Sequence, residues 1–308
     1  MNWENHPWGH RIQPYLNFDY GDFVGEWLHD PQEIDVSNPV MSITNGWGAQ
    51  HMENKWYADE LFPDLAIYAY DSRGQGESTK HGKLDAVQGA IDANFLLSRA
   101  FNDIDHKATE LGVSPGNKII QGNCIGAMTV AALYAGKFPV TRQSDGVILI
   151  SPVSTFDLPA VAKMTYFLPS WAAKWAIKYL AVPMANFMVS GEESEFSRQK
   201  ALQRLYRIDV DAALRQVKQI FWRENVSPYW SHIDVPALMI VSPNDPLTRI
   251  EDSAAVYDKL QYPIWLELEA PDHLILEENI DFLRKFIPRY AREPWAVYEE
   301  YKDITPDY

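Results

Sequence analysis

Cys124, Asp245 and His273 are the residues of this chain whose types and settings suit nucleophilic chemistry. Cys124 is the single cysteine and stands between Gly122 and Gly126 in QGNCIGAM. A G-x-nucleophile-x-G frame, entered from a strand and left by a helix, holds one side chain out on a tight turn. The glycines let neighbouring backbone pass where a Cβ would collide. The following helix aims its positive end at the nucleophile and at any oxyanion that develops there. A thiol that attacks a carbonyl needs a base, and the base needs an acid to orient it. His273, in EAPDHLIL, suits the first role and Asp245, in VSPNDP, the second. The chain order nucleophile, acid, histidine is one in which such triads occur. Taken singly, each residue has a plainer explanation: a small buried cysteine, a turn aspartate ahead of Pro246, a satisfied loop histidine. All three at the ends of strands, in that order, favour the triad.

The elements that must position them show as alternating patterns. Strands are predicted at PVMSITNG (Pro39 to Gly46), LAIYAY (from Leu65), NKIIQGNC and SDGVILISPVS. Two more follow at VPALMIVSPND (Val235 to Asp245) and IWLELEAPDH (Ile264 to His273). Helical patterns run from Asp85 to Gly112, through IGAMTVAALYAGKFP to a stop at Pro139, and through LEENIDFLRKFIPRY. Strands alternating with helices predict an α/β chain with a parallel sheet covered on both faces. Ligands bind such sheets at the loops that follow the strands. Residues from about Ser154 to Tyr229 interrupt the alternation: they are rich in Trp, Met and Phe and marked by Pro159, Pro169 and Pro183. The expectation is a core in two parts, 1–153 and 231–308, with a helical cap inserted at 154–230.

Composition narrows the possibilities. The 308 residues are 46% hydrophobic, enough for a sizeable core, and the formal net charge is −15. That charge argues against nucleic acid as a partner, because phosphates would find little to neutralise them. One cysteine cannot form an internal disulfide, and such usage fits a reducing compartment. MNWENHPWGHRIQ lacks a basic start followed by an apolar run, so no signal peptide is expected. No apolar run approaches the ~20 residues that span a bilayer. A soluble, cytoplasmic protein is expected. The other histidines are scattered without H-E-x-x-H or a cysteine pair, so no metal is expected. No phosphate-cradling G-x-x-x-x-G-K-[ST] occurs, and the GQG beside Arg73 is too short for a dinucleotide fingerprint, so no cofactor is expected.

As a set, TNGWGAQ, YDSRGQGEST, GNCIGAM, VSPNDPLT and PDHLILEENIDFLRKF resemble the α/β-hydrolase fold, from about Val40 to Ile287. The resemblance implies a mostly parallel, doubly wound sheet with an inserted helical cap. It implies Cys124 as nucleophile, His273 as base and Asp245 as acid. It also implies the backbone N–H groups of Trp47 and Ile125 as the oxyanion hole. The loop that usually reads His-Gly-x-x in this family is Asn45-Gly46-Trp47-Gly48 here. DSRGQGES matches a turn that is mainly structural, so Asp71 and Arg73 are expected to lie outside catalysis.

Most relatives carry Ser where this chain has Cys124. Cysteine versions occur in polyhydroxyalkanoate synthases, dienelactone hydrolases and some thioesterase-like enzymes that transfer or cyclise acyl groups. A thioester exchanges its acyl group with a thiol at little cost, so cysteine favours thioester substrates or acyl transfer. The expected activity is thioesterase- or esterase-type hydrolysis of a small-molecule or carrier-bound acyl ester or thioester. The alternatives are an acyltransferase or cyclase, and a non-catalytic hydrolase-like binding protein. In the cap, Met164 to Val189 is crowded with aromatics and Met, which suits its own core with some surplus facing an apolar acyl group. Arg198, Lys200, Arg204 and Arg207 read as a solvated face, or as neighbours for the phosphate of CoA or a carrier protein.

Overall fold

The computed structural model describes residues 23–29, 34–55, 58–59, 62, 64–156, 169, 171–172, 175, 199, 202–203, 207–221, 223–270 and 275–306. Among these, seven strands form one sheet: β1 Gly25–Trp27, β2 Val40–Thr44, β3 Ala66–Tyr70, β4 Lys118–Asn123, β5 Gly146–Ile150, β6 Ala237–Val241 and β7 Pro263–Glu267. Their order across the sheet is β1-β3-β2-β4-β5-β6-β7. β1 runs antiparallel to β3, and every other neighbour is parallel.

The strands are apolar on both faces, as a sheet covered on both sides requires. Side chains alternate, so Val147 and Leu149 of β5 join one cluster while Ile148 and Ile150 join the other. α1 (Ala86–Leu111) and α2 (Ile125–Ala135) supply the first cluster. α3 (Val210–Gln216) and α4 (Ile250–Tyr257) follow in the chain. α5 (Ile275–Glu278), α6 (Ile280–Arg292) and α7 (Pro294–Tyr301) supply the second cluster.

α1 begins and ends where its local chemistry says it should. The Asp85 carboxylate accepts from Gln88 N at 2.8 Å, and Gly112 closes the helix at φ 67°. α2 stops earlier than Pro139: it ends at Ala135, and Lys137 turns the chain at φ 51°. Pro139 instead opens a short 3-10 turn, Pro139–Gln143. The last expected helix is broken at Asn279, whose side chain donates to Glu269 O and Ile275 O at 3.2 and 3.1 Å.

Much of 154–230, including most of Met164 to Val189, lies outside the described residues, as do Arg198, Lys200 and Arg204. The part described from Arg207 onward is bonded to the core. Asp209 caps α3, and a π-helical turn, Val217–Phe221, follows it. Gln216 Nε2 donates to Arg73 O at 3.0 Å, and Leu84 N donates to Gln219 Oε1 at 2.6 Å. Ala86 N donates to both carboxylate oxygens of Glu224 at 2.9 Å. Arg215 donates to Lys80 O.

Candidate active site

β4 delivers the chain to Cys124, which adopts φ 53°, ψ −114° before α2 starts at Ile125. A non-glycine residue there carries strain on the order of 1–3 kcal/mol, which its surroundings must hold. Two close approaches do so. A Cβ on Gly126 would sit 2.2 Å from Thr44 O, and one on Gly122 would sit 2.7 Å from Ala127 Cα. Cys124 N donates to Ile150 O at 2.8 Å, and Cys124 O accepts from Ala127 N at 2.9 Å. The thiol is free and buried.

The loop after β2 passes over this elbow. A Cβ on Gly46 would lie 3.3 Å from Asn123 O and 3.4 Å from Cys124 Cβ, so the loop expected to hold the oxyanion is against Cys124. Trp47 follows it, half-buried against the first core cluster. Ile125 is the first residue of α2, and the first N–H groups of a helix have no intrahelical acceptor. Asn45 acts as a strut. Its Oδ1 accepts from Asn54 Nδ2 at 3.0 Å, and its own amide reaches Tyr70 O at 3.5 Å.

A buried acidic cluster anchors the far end of that loop. His51 N donates to Asp71 Oδ1 at 2.7 Å, and its ring Nδ1 lies 3.0 Å from the same oxygen. Its Nε2 is 3.9 Å from Glu26. Burial opposes protonation of this imidazole, but the bond and charge of Asp71, with Glu26 and Glu77 behind it, hold it above its ordinary pKa. Asp71 also accepts from Glu77 N at 2.8 Å. Arg73 grips Asp92 through two bonds of 2.7 and 2.8 Å. These bonds tie Asp71 to the loop and Arg73 to α1.

Asp245 lies in the turn after β6 and is buried. Its Oδ1 accepts from Leu247 N at 2.8 Å and Thr248 N at 3.1 Å. Its Oδ2 accepts from Ser151 Oγ at 2.8 Å and from the Thr248 hydroxyl. One peptide unit connects the strand that leads to Asp245 with the one that leads to Cys124. Ile150 O accepts from Cys124 N, while Ser151 N donates to Ile240 O at 2.9 Å. Ser151 itself sits at φ 49°.

Cys124, Ile125 and the Gly46–Trp47 loop therefore meet at one strand edge, with Asp245 two strands away in the order of the sheet. β7 ends at Glu267, six residues short of His273, and His273 lies outside the described residues. Sequence reasoning did not single out Ser151 or Thr248 as supports for Asp245. A hydroxyl three residues after the acid, in NDPLT, was the available signal for Thr248. Among the described residues, no group of three or more His, Cys, Asp and Glu is set to hold a metal, and no helix is long and apolar enough to cross a membrane.

Several solved structures share this architecture. The enol-lactonase from Burkholderia xenovorans is 17% identical, with 87% of this chain and 96% of that one covered and a TM-score of 0.65. A lipase-esterase related protein from Clostridium acetobutylicum is 15% identical, covering 87% and 99%, at a TM-score of 0.66. An esterase from Exiguobacterium antarcticum is 14% identical, covering 88% and 95%, also at 0.66. No curated protein sequence is significantly similar to the chain. The sequence itself matches the description of the alpha/beta hydrolase family over residues 44–285, most of its length, and the chain belongs to that family.

Proposed function

We propose that the protein is a hydrolase that cleaves an ester or thioester through an acyl-cysteine on Cys124. The observation that carries this reading is the conformation of Cys124, held at φ 53° between two glycines whose neighbours leave no room for a Cβ. A strained residue at a strand end, with the start of a helix behind it, is costly to maintain for packing alone. In the reaction, His273 takes the thiol proton and Asp245 orients the imidazole. The sulfur attacks the carbonyl carbon, and the N–H groups of Trp47 and Ile125 receive the oxyanion. The intermediate collapses, the C–O or C–S bond breaks, and His273 protonates the leaving alcohol or thiol. Water then attacks the acyl-cysteine, His273 takes its proton, and the acid leaves as the thiol reforms.

Solved structures of the same fold include an enol-lactonase and an esterase, which supports an ester as the substrate class. The thiol in place of a hydroxyl favours thioesters. A helical cap over 154–230, an apolar acyl group and a cytoplasmic setting belong to the same reading. The thiol also favours a second reading, transfer of the acyl group to an amine, thiol or alcohol. The test is intact-protein mass spectrometry after incubation with p-nitrophenyl esters and acyl thioesters, with product analysis. An acyl adduct on Cys124, absent in Cys124→Ala, is expected. Failure of every ester and thioester to leave an adduct or release product would refute the proposal. Free acid as the sole product, with amines, thiols and alcohols present, rules out the transfer reading.

A further inference from the structure

The loop proposed to receive the oxyanion is tied at both ends to the end of β3. At its start, the Asn45 amide reaches Tyr70 O at 3.5 Å. At its finish, His51 N donates to Asp71 Oδ1 at 2.7 Å. A 3-10 turn, His51–Asn54, then folds back on the loop. Asn54 Nδ2 donates to His51 O at 3.1 Å and to Asn45 Oδ1 at 3.0 Å, so one amide joins the two ends. Between them lies Gly46, where a Cβ would be 3.4 Å from Cys124 Cβ. A displacement of His51 therefore reaches the edge of the elbow through two hydrogen bonds.

The same junction is where charge gathers. The His51 ring has Nδ1 3.0 Å from Asp71 Oδ1 and Nε2 3.9 Å from Glu26 Oε1, and all three residues are buried. Glu77 adds a further negative charge from the turn after β3. Glu53, on the same 3-10 turn as His51, accepts from Gln50 N at 3.2 Å. Burial by itself would keep the imidazole neutral; Asp71, Glu26 and Glu77 outweigh it and hold the pKa above its ordinary value.

The members of this cluster are not equally movable. Asp71 is wrapped by its own turn: its Oδ2 accepts from Glu77 N at 2.8 Å, and a Cβ on Gly76 would sit 2.0 Å from that oxygen. Glu26 stands in β1, whose backbone is paired with β3. When the imidazolium becomes neutral, two buried carboxylates lose the positive charge between them. Sheet and turn hold both carboxylates, so the adjustment falls on the loop end that carries His51.

We propose that His51, as an imidazolium between Asp71 and Glu26, is a positioning residue for the Gly46–Trp47 loop, and that the loop loses its placement against Cys124 when that charge is lost. The proposal rests on the acyl-cysteine reading and adds a positioning residue to it. The test is the pH dependence of kcat and KM for an ester that acylates Cys124, beside the titration of the His51 ring followed by NMR. The ring holds its proton below its pKa and loses it above, so the effect is a fall in activity on the alkaline side. In the wild type, kcat drops about tenfold as pH rises through the His51 titration, a fraction of the worth of an oxyanion donor, while KM changes little. Glu26→Gln keeps the side chain's shape and removes one carboxylate. It moves the ring titration and the fall in kcat together, about one pH unit lower. His51→Gln keeps the backbone N–H to Asp71 and removes the charge, so kcat is low throughout and the alkaline fall is gone. Where His51→Gln does not fold, Glu26→Gln and the wild-type titration decide. A fall in kcat that is absent, that stays in place in Glu26→Gln, or that does not coincide with the His51 titration overturns the positioning role and leaves the acyl-cysteine reading standing. The absence of any acyl adduct on Cys124 across the whole pH range overturns both.

Discussion

Ser151 donates its hydroxyl to Asp245 Oδ2 at 2.8 Å, across 94 residues of chain. Its own backbone N–H is bonded to β6, and the carbonyl of the same peptide unit is bonded to Cys124 N. Cys124 and Asp245, the proposed nucleophile and acid, are thereby held to one rigid peptide rather than to two independent loops.

Ser151→Ala removes a bond to a charged acceptor, worth about 1.5–3 kcal/mol. Thr248 still donates to the same oxygen, so the carboxylate stays in place but is less firmly held. The expected result is a kcat lowered about tenfold with KM little changed, the signature of a residue that acts through the proposed acid, Asp245, rather than on substrate. Ser151→Gly should lose the same kcat yet cost less stability, since glycine tolerates φ 49° without strain. Ester kinetics and urea unfolding of the two variants check this. Unchanged kcat in both would show that Ser151 does not position the acid.

The two kinds of glycine requirement are separable. Gly126→Ala places a Cβ 2.2 Å from the backbone oxygen of Thr44, and a strand carbonyl cannot move aside. It should cost more than about 3 kcal/mol or prevent folding. Gly112→Ala meets nothing within 4 Å and pays only for φ 67°, about 1 kcal/mol. Denaturant midpoints of the two variants are the measurement. Equal losses would mean that the close approach at the elbow is absent.

Arg73 and Asp92 are both almost fully buried, and burial pushes the Asp92 carboxyl up while the guanidinium opposes it. Arg73→Met leaves that carboxylate uncompensated and should cost about 3–5 kcal/mol at neutral pH. Because burial is then opposed only by the Gln88 amide, which donates to Asp92 Oδ1 at 3.1 Å, the loss should shrink as pH falls and Asp92 takes a proton. Combining it with Asp92→Leu should recover most of the stability. Denaturation at pH 5 and 8 tests the sign, and a single variant equally unstable at both would contradict it.

What the sequence disclosed and what it hid follow the range of the interactions. The bounds of α1 were legible because Asp85 and Gly112 act on their own neighbours, and the elbow because its glycines sit two residues from Cys124. The end of α2 was misplaced at Pro139, since proline is a conspicuous stop and the earlier turn at Lys137 is not. β1 is three residues long, too short to show alternation, and is defined by its pairing with β3. Ser151 with Asp245, and Gln216 with Arg73 at a separation of 143 residues, leave no periodic trace at all. They exist because the sheet brings distant loops to one edge. The order Cys124, Asp245, His273 is a pattern in the chain, and His273 lies outside the described residues. The supports that hold Asp245 were not legible in it.

Glu224 gives the contact between the 207–230 stretch and the core a pH dependence. Its carboxylate sits at the N-terminus of α1, accepting from Ala86 N, and burial raises its pKa from 4.5 to about 7. The hydrogen bond to Ala86 works the other way but does not win. The native state therefore holds this proton more tightly than the unfolded chain does. Its contribution to stability is complete below about pH 4.5 and is lost as pH rises through about 7. With the group only part-buried, the loss is discounted for solvent screening to roughly 1–2 kcal/mol. Glu224→Gln keeps an acceptor for Ala86 N and cannot ionise. Its unfolding free energy should thus fall less than the wild type's between pH 5 and 8, with the difference growing through neutrality. Parallel stability curves for the two proteins across that range would show that Glu224 does not titrate near pH 7.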